Sequence, residues 1–330
     1  MADMSSRYLG MTLRNPLIVG ASSLTLDLQA VKRCEEAGAG GVVLKSLFEE
    51  QIALDNQGLD QSLQGATQWH SEVFEYMEAD IGMRYGAREY LDIIRACSEE
   101  VAIPVIASIN CVSAGLWQDF ASQIEAAGAR ALELNVAIMP VDFAVTSEEV
   151  DRRYIEIVTA ARAAVSIPIA VKLPPNCSSL PNLLRRLRQA GADGFVLFNR
   201  FYRPSIDIEA LKITGGEQWS TSAELSPALR WIALLSGRLD ADIAATCGVH
   251  TGADMARALL AGAKAVQVAS ALYRNGLEHI RVMLDELEAW MDRKGFADLG
   301  EVIGRLSREE SDDAGTYERF QYIKGLVGIQ

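Results

Sequence analysis

Ala37-Gly38-Ala39 leads through two residues into Val42-Val43-Leu44, and the chain repeats that phrase three more times. The echoes are Ala127-Gly128-Ala129 before Ala131-Leu132-Glu133-Leu134, Ala190-Gly191-Ala192 before Phe195-Val196-Leu197, and Ala261-Gly262-Ala263 before Ala265-Val266-Gln267-Val268. A helical stretch precedes each one. The glycine falls where the helix must stop, a position that commonly needs the left-handed backbone glycine adopts without steric cost. The apolar runs are of strand length and lack strict alternation, as expected of parallel strands buried on both faces.

A second echo lies between the first: Val101-Ala102-Ile103-Pro104-Val105-Ile106-Ala107 matches Val165-Ser166-Ile167-Pro168-Ile169-Ala170-Val171. Proline at the first strand residue gives up only a donor without a ladder partner. Adding residues 15–21 and Asp242–Thr246 makes eight strands separated by helical segments. The Ala-Gly-Ala units then precede strands 2, 4, 6 and 8, the odd–even alternation that a barrel with layered interior side chains produces. The spacing is too wide and uneven for a solenoid. An open doubly wound sheet would carry a G-x-G-x-x-G turn after strand 1, which is absent. The sequence therefore predicts an α/β fold: one (β/α)8 TIM barrel domain over residues 1–330, with long loops after strands 2 and 6.

Bulk properties narrow the partners. The 330 residues carry a net charge of −13, whereas a nucleic-acid surface needs a basic face. Five scattered cysteines form no C-x-x-C pair, which argues against a zinc ribbon or a disulfide framework and suits a reducing compartment. The first residues hold no apolar signal core and no run approaches ~18 apolar residues. The expectation is a cytoplasmic protein without a membrane or nucleic-acid partner and without a bound metal.

Two segments exceed ordinary barrel loops, and long ordered connections are usually lids or binding loops. Residues 45–86 are acidic and Gln-rich, with Trp69, Phe74 and Tyr76; residues 200–226 carry Gly215-Gly216 and Trp219. The tail, with Tyr317, Phe320 and Tyr322, is expected to pack on the barrel or on a second subunit.

Catalytic residues of such barrels sit where the strands end. Those positions read Ser22-Ser23, Lys45-Ser46, Asn110-Cys111, Asn135, Lys172, Asn199-Arg200, Thr246-Cys247-Gly248 and Ala269-Ser270. Any one of them suits an ordinary exposed loop start. Two lysines and three asparagines together do not, because such groups near a buried sheet need partners. After strands 7 and 8, the small residues of Cys247-Gly248 and Ala269-Ser270 offer backbone N–H groups to an anion, as phosphate sites of barrels do. His250 is either a phosphate contact or a capping residue. A flavin that takes up a hydride gains negative charge near N1 and O2, and Lys172 would stabilise it. The asparagines can both donate to and accept from the edge of a flavin.

These stretches resemble the dihydroorotate dehydrogenase family and the related barrel domain of dihydropyrimidine dehydrogenase. The likeness runs through Leu9-Gly10-Met11-Thr12-Leu13-Arg14-Asn15-Pro16, Val42-Val43-Leu44-Lys45-Ser46, Glu133-Leu134-Asn135, Val171-Lys172-Leu173-Pro174-Pro175, the strand-7 run Thr246-Cys247-Gly248-Val249-His250-Thr251-Gly252 and Val268-Ala269-Ser270-Ala271-Leu272. The resemblance implies an FMN-binding barrel that oxidises dihydroorotate or a related reduced pyrimidine by hydride transfer to flavin N5. By motif position it makes Ser22, Lys45, Ser46, Asn110, Asn135 and Lys172 flavin contacts. Cys247, Gly248, Ala269 and Ser270 become the phosphate cradle. Lys45 and Asn199 fall on the substrate side, with Arg200 added as an anion contact, and a homodimer is implied.

The departures bear on substrate. Where the soluble members carry Leu-Ser-Cys-Pro-Asn, this chain has Val136-Ala137-Ile138-Met139-Pro140, so Ile138 stands at the catalytic cysteine position. An alkyl group cannot abstract a proton. Glu78-Ala79-Asp80-Ile81-Gly82-Met83-Arg84 replaces the family's Asn-x-Met-Gly-Leu-Pro-Asn and adds carboxylates. Cys111, at a strand mouth, is the substitute base to test alongside Lys172, set against the inert small hydrophobe that a buried cysteine usually is. FMN binding is expected to persist while dihydroorotate oxidation weakens. Two other functions stay open: a flavin electron-transfer subunit of another oxidoreductase, and a flavin-free phosphate-binding lyase or isomerase. Without an iron–sulfur cysteine cluster or a nucleotide fingerprint, electrons would leave to a soluble acceptor or a redox partner protein.

Overall fold

Eight parallel strands close on themselves in the computed structural model, which describes residues 2–49, 51–52, 86–114, 118–201, 203–310 and 315. They are β1 (Leu17–Val19), β2 (Gly41–Val43), β3 (Val105–Cys111), β4 (Ala131–Val136), β5 (Ile169–Leu173), β6 (Gly194–Leu197), β7 (Asp242–Thr246) and β8 (Ala265–Val268). Each pairs in parallel with its sequence neighbours, and β8 pairs with β1, so the sheet is a closed barrel without edges among these strands. The fold is the (β/α)8 TIM barrel that the repeats predict. The third strand starts at Val105, directly after Pro104, where the proline marks the strand's beginning.

The surrounding helices are α1 (Leu28–Glu36), α2 (Ala87–Glu100), α3 (Gln118–Ala126), α4 (Ser147–Ala164), α5 (Leu180–Ala190), α6 (Ser226–Leu235), α7 (Gly252–Ala261) and α8 (His279–Lys294). Helix α5 shows why such segments form. Leu180, Leu183, Leu184 and Leu187 are buried at helical spacing, and proline occupies the first turn, where its missing donor costs nothing. Helix α4 starts at a reciprocal cap between Thr146 and Glu149. All four repeat glycines, at positions 38, 128, 191 and 262, have φ between +102° and +117°.

The interior is layered. Outward-facing strand residues such as Val42, Ile109, Leu134 and Val171 pack under the helices in one large cluster. Burying each such side chain contributes roughly 1.5–3 kcal/mol. Inside the bore, Ile18, Val43, Ile106, Ala131, Ala170, Val196, Ala244 and Ala265 form a second cluster with Tyr8, Leu9, Met11 and Leu13. Those last four belong to an antiparallel hairpin, Ser6–Tyr8 with Met11–Leu13, that stops the N-terminal end. Leu9 N donates to Asp242 Oδ2 at the start of β7 over 2.7 Å. The hairpin closes this end of the bore with mostly apolar side chains.

The loop after β2 shows a short strand, Leu47–Phe48, beside β3. Trp69, Phe74, Tyr76, the stretch 78–84, Tyr317, Phe320 and Tyr322 lie outside the described residues. The loop after β6 folds into a hairpin, Pro204–Asp207 with Lys212–Gly215. A Cβ on Gly216 would stand 2.5 Å from the Arg203 carbonyl oxygen, so the close of that hairpin needs a residue without a side chain. No helix among the described residues is long and apolar enough to cross a membrane.

Candidate active site at the mouth of the barrel

Side chains of a strand alternate between its two faces, so the residues following the bore cluster in steps of two also face inward. Above Ile106 come Ser108 and Asn110; above Ala131 come Glu133 and Asn135; above Ala170 comes Lys172; above Ala265 comes Gln267. Asn110 pairs in register with Asn135, and Asn135 with Lys172. Three of the sequence-predicted residues thus form one row on adjacent strands. Asn199, just past β6, extends it: its Nδ2 donates to Asn135 Oδ1 over 2.8 Å.

Beneath that row lies a buried polar tier. Lys172 Nζ donates to Gln267 Oε1 over 3.2 Å and stands 3.7 Å from Glu133 Oε1. Gln267 Nε2 donates in turn to Glu133 Oε2. Glu133 is 1% exposed and Lys172 8%. Sequence reading missed Glu133 and Gln267, both embedded in apolar runs. The signal was there: each is polar within a strand buried on both faces, and Glu133 has the same parity as Asn135.

The other expected flavin contacts ring the β1–β3 side. Ser46 Oγ shares a hydrogen bond of 2.8 Å with Ser108 Oγ. Ser22 Oγ donates to the Gly20 carbonyl over 3.0 Å, and Lys45 is half-buried beside them. On the β5–β8 side a cleft of ≈ 490 Å³ is lined by Lys172, Gln267, Asn199, Thr246, Cys247, Gly248, Ala269 and Ser270, among others. The structure therefore brings the lysine of β5 and the predicted phosphate-binding residues into one cleft.

Cys247 and Gly248 both take positive φ, +65° and +85°. A Cβ on Gly248 would lie 2.4 Å from Leu225 N, so this glycine serves close packing against the loop after β6. That loop supplies a partner the sequence did not suggest. Ser220 Oγ accepts from Gly248 N over 3.3 Å and shares a 2.9 Å hydrogen bond with His250 Nε2. Ser220 N donates to Ser270 Oγ over 3.2 Å. Trp219 stacks on Tyr273 with ring centroids 4.5 Å apart, and the Tyr273 hydroxyl bonds Ser23. Burial, then the Arg274 charge, hold His250 below the usual imidazole range, so it is neutral at pH 7. Burial, reinforced by Glu224, pushes the Cys247 thiol up to about 11.

Three residues sit differently from expectation. Arg200 lines the same cleft, but its guanidinium is engaged by Glu224 Oε2 at 3.0 Å and by the carbonyls of Gln218 and Glu217, so it also braces the loop after β6. Cys111 has the opposite parity to Asn110 and is fully buried in the layer between strands and helices. It is not brought to the mouth. Ile138 is buried beside Tyr154 and lines a separate cavity of ≈ 900 Å³ with Asp151 and Cys177.

Comparison with known proteins accords with this geometry. A family model described as dihydroorotate dehydrogenase matches residues 42–291. The chain is 29% identical over 314 residues to a protein of Aeropyrum pernix named putative dihydroorotate dehydrogenase A (fumarate), covering 93% of this chain and 98% of that one. It is 27% identical over 301 residues to a Pyrococcus furiosus protein named dihydroorotate dehydrogenase B (NAD(+)), catalytic subunit, covering 89% and 96%. A protein of that same name from Methanocella arvoryzae is 30% identical over 311 residues, covering 91% and 96%.

Proposed function

The chain belongs to the dihydroorotate dehydrogenase family of oxidoreductases, and from that premise we propose that it binds FMN at the barrel mouth and oxidises a reduced pyrimidine-like ring there. The observation that carries the reading is the polar row Asn110–Asn135–Lys172 standing over the closed bore and opening into the β5–β8 cleft.

The residues present fit the group. Lys172, Asn135 and Asn110 offer a cation and amides to the pyrimidine edge of the ring system, with Ser22, Lys45 and Ser46 beside them. Gly248 N–H now donates to Ser220 Oγ and the Ser220 backbone N–H to Ser270 Oγ, and phosphate oxygens can take the same two N–H donors. When bound, FMN supplies a two-electron acceptor. The chain's own work is electrostatic: a fixed ammonium in a low-dielectric site stabilises negative charge without reorganisation. Asn199 orients the substrate ring: its bond to Asn135 fixes its amide and leaves its oxygen free to accept.

Proton removal is the weak point. Ile138 has no basic atom, and Cys111 is buried behind the barrel wall. With no base at that position, dihydroorotate oxidation is slow, a loss of the order of the 10²–10⁴ that general base catalysis contributes. The test is a visible spectrum of the purified protein, then anaerobic stopped-flow mixing with dihydroorotate. Flavin bands with slow bleaching are expected, whereas bleaching within milliseconds would overturn the slow reaction. A colourless chain that takes up no added FMN would overturn the cofactor and leave a lyase or isomerase.

Ile138 also favours a second reading, in which the flavin passes electrons to or from a partner protein. Fumarate and NAD(+), named in its relatives, are the acceptors to compare, NAD(+) both with and without a partner subunit. Rapid reduction by a partner enzyme, set against slow reduction by dihydroorotate, would select this role.

A further inference from the structure

The bore beneath the mouth holds a charge that flavin contact alone does not require. Glu133 (β4), Gln267 (β8) and Lys172 (β5) join from three strands across the barrel, 134 and 95 residues apart along the chain. Below them the walls are alanine and branched aliphatic side chains. Two ionised groups cost several kcal/mol each to take out of water, and an apolar residue at 133 would pack at no such cost. The carboxylate therefore has something to do.

Its geometry shows what. An ammonium has three donors and no acceptor. Gln267 Oε1 lies 3.2 Å from Lys172 Nζ, and Glu133 Oε1 lies 3.7 Å from it. Gln267 takes one N–H and Glu133 Oε1, too far for a hydrogen bond, faces the ammonium as a counter-charge, so Lys172 keeps donors for the cleft that it lines. Gln267 couples the pair, donating to Glu133 with its amide nitrogen while accepting from Lys172 with its amide oxygen. The rigid strands fix all three.

The bond count of Glu133 supports the same assignment. Among the described residues, Glu133 Oε1 and Tyr8 OH are the buried side-chain oxygens without a hydrogen bond. Burial, then the Glu133 and Asp242 charges, push the Tyr8 phenol well above its usual range, so Tyr8 remains a neutral donor and brings no counter-charge. The cation facing Glu133 Oε1 is Lys172.

Resting on the FMN reading, we propose that Glu133 is a positioning residue: acting through Lys172, it keeps that ammonium charged and aimed at the cleft, and so sets how strongly the site favours negative charge on the bound ligand. Burial by itself disfavours an ammonium, and a fixed carboxylate offsets that penalty. Gln267 transmits the alignment, since its two ends are bonded in opposite senses.

The test compares the wild type, Glu133→Gln and the charge swap Glu133→Gln/Gln267→Glu. In the flavin-free full chain at pH 8, acetic anhydride labelling of Lys172 is read by mass spectrometry against exposed Lys294. Glu133→Gln is expected to raise the relative labelling at least tenfold, because only a deprotonated amine reacts. In the FMN-loaded protein the midpoint potential is expected to fall about 30 mV, a tenfold change for a two-electron couple. The swap restores a carboxylate to the same trio and should return both readouts toward wild type. Unchanged labelling and potential in Glu133→Gln would overturn the proposal, as would a swap that folds yet behaves like the single variant. If neither variant folds, Glu133 is structural and the proposal is likewise wrong. A chain that takes up no FMN sinks the cofactor reading, while the labelling still decides the role of Glu133.

Discussion

Asn199 Nδ2 donates to Asn135 Oδ1 over 2.8 Å, tying the end of β6 to the end of β4 across β5. The bond fixes the orientation of both amides. It leaves Asn135 its nitrogen as donor and Asn199 its oxygen as acceptor, a matched pair for the edge of a lactam ring. Replacing Asn199 by alanine removes one member and frees the other to rotate. Stability should fall by only about 1 kcal/mol, the net worth of one hydrogen bond. Affinity for a ring ligand such as orotate should fall at least tenfold, about 1.4 kcal/mol. Titration of the flavin absorbance with orotate checks this; an unchanged dissociation constant would remove Asn199 from the ligand site.

Glu224 anchors the loop that bears Ser220. Its Oε2 accepts from Arg200 at 3.0 Å and pairs with Arg203 at 2.6 Å, while Oε1 accepts from Thr221 N at 3.1 Å. Burial pushes this carboxyl up, but the hydrogen bonds from Arg200 and Thr221 and the two arginine charges outweigh it, leaving it below its usual value. A carboxyl lowered in the folded state contributes stability above its unfolded value of about 4.3 and loses it as pH falls through the folded one. Glu224→Gln should therefore cost about 2 kcal/mol at pH 7, typical of hydrogen bonds to a charged group. The gap to wild type should hold down to about pH 5 and close in stronger acid. Thermal unfolding across pH 3–7 reads the difference, and a gap that widened in acid would contradict the assignment.

Much of this was legible beforehand for a plain reason. Helix-ending glycines and doubly buried strands leave local signatures, so the Ala-Gly-Ala phrases located four of the eight strands, and strand ends located Asn110, Asn135, Lys172 and Asn199. Parity carried the information that reading the ends alone discarded. Counting by twos from Ile106 puts Asn110 in the bore and Cys111 outside it, and from Ala131 it reaches Glu133. The fate of Arg200 was not legible, because its partners lie 17 to 24 residues away in an irregular loop whose path no periodicity encodes. Ser220 was hidden likewise: its contacts with Gly248, His250 and Ser270 depend on where that loop crosses the mouth.

Cys111 is fully buried among apolar side chains on the outer face of β3. A thiol there is a packing group. Cys111→Ala should lower stability by about 1 kcal/mol, as deletion of one buried heavy atom does. The rate of flavin reduction by any substrate the protein accepts should stay within twofold. Lys172→Met should slow it far more, since the fixed cation is lost. Rapid-reaction kinetics on both variants decides; a tenfold loss in Cys111→Ala would return the thiol to the mechanism.

Cys247 holds φ +65° beside Gly248 at +85°, a left-handed backbone that costs an L-residue roughly 1–2 kcal/mol. Glycine adopts it freely but gives back about 0.5–1 kcal/mol in unfolded-chain entropy. Cys247→Gly should thus leave stability within about 1 kcal/mol of wild type and keep the turn that presents Gly248 N–H to the cleft. A β-branched side chain has no such compensation, so Cys247→Val should cost about 2 kcal/mol. Urea denaturation separates the two, with the midpoint moving and the slope unchanged if only the folded turn is strained. Because the thiol is pushed up to about 11, it is protonated at pH 7. Loss of its charge therefore cannot explain any effect of either change; both remove the 3.6 Å bond from Cys247 Sγ to Glu224 Oε2, so the difference between the two variants reports the backbone conformation. Equal stability for the valine and glycine variants would mean that position 247 does not need the left-handed turn on which the proposed phosphate cradle rests.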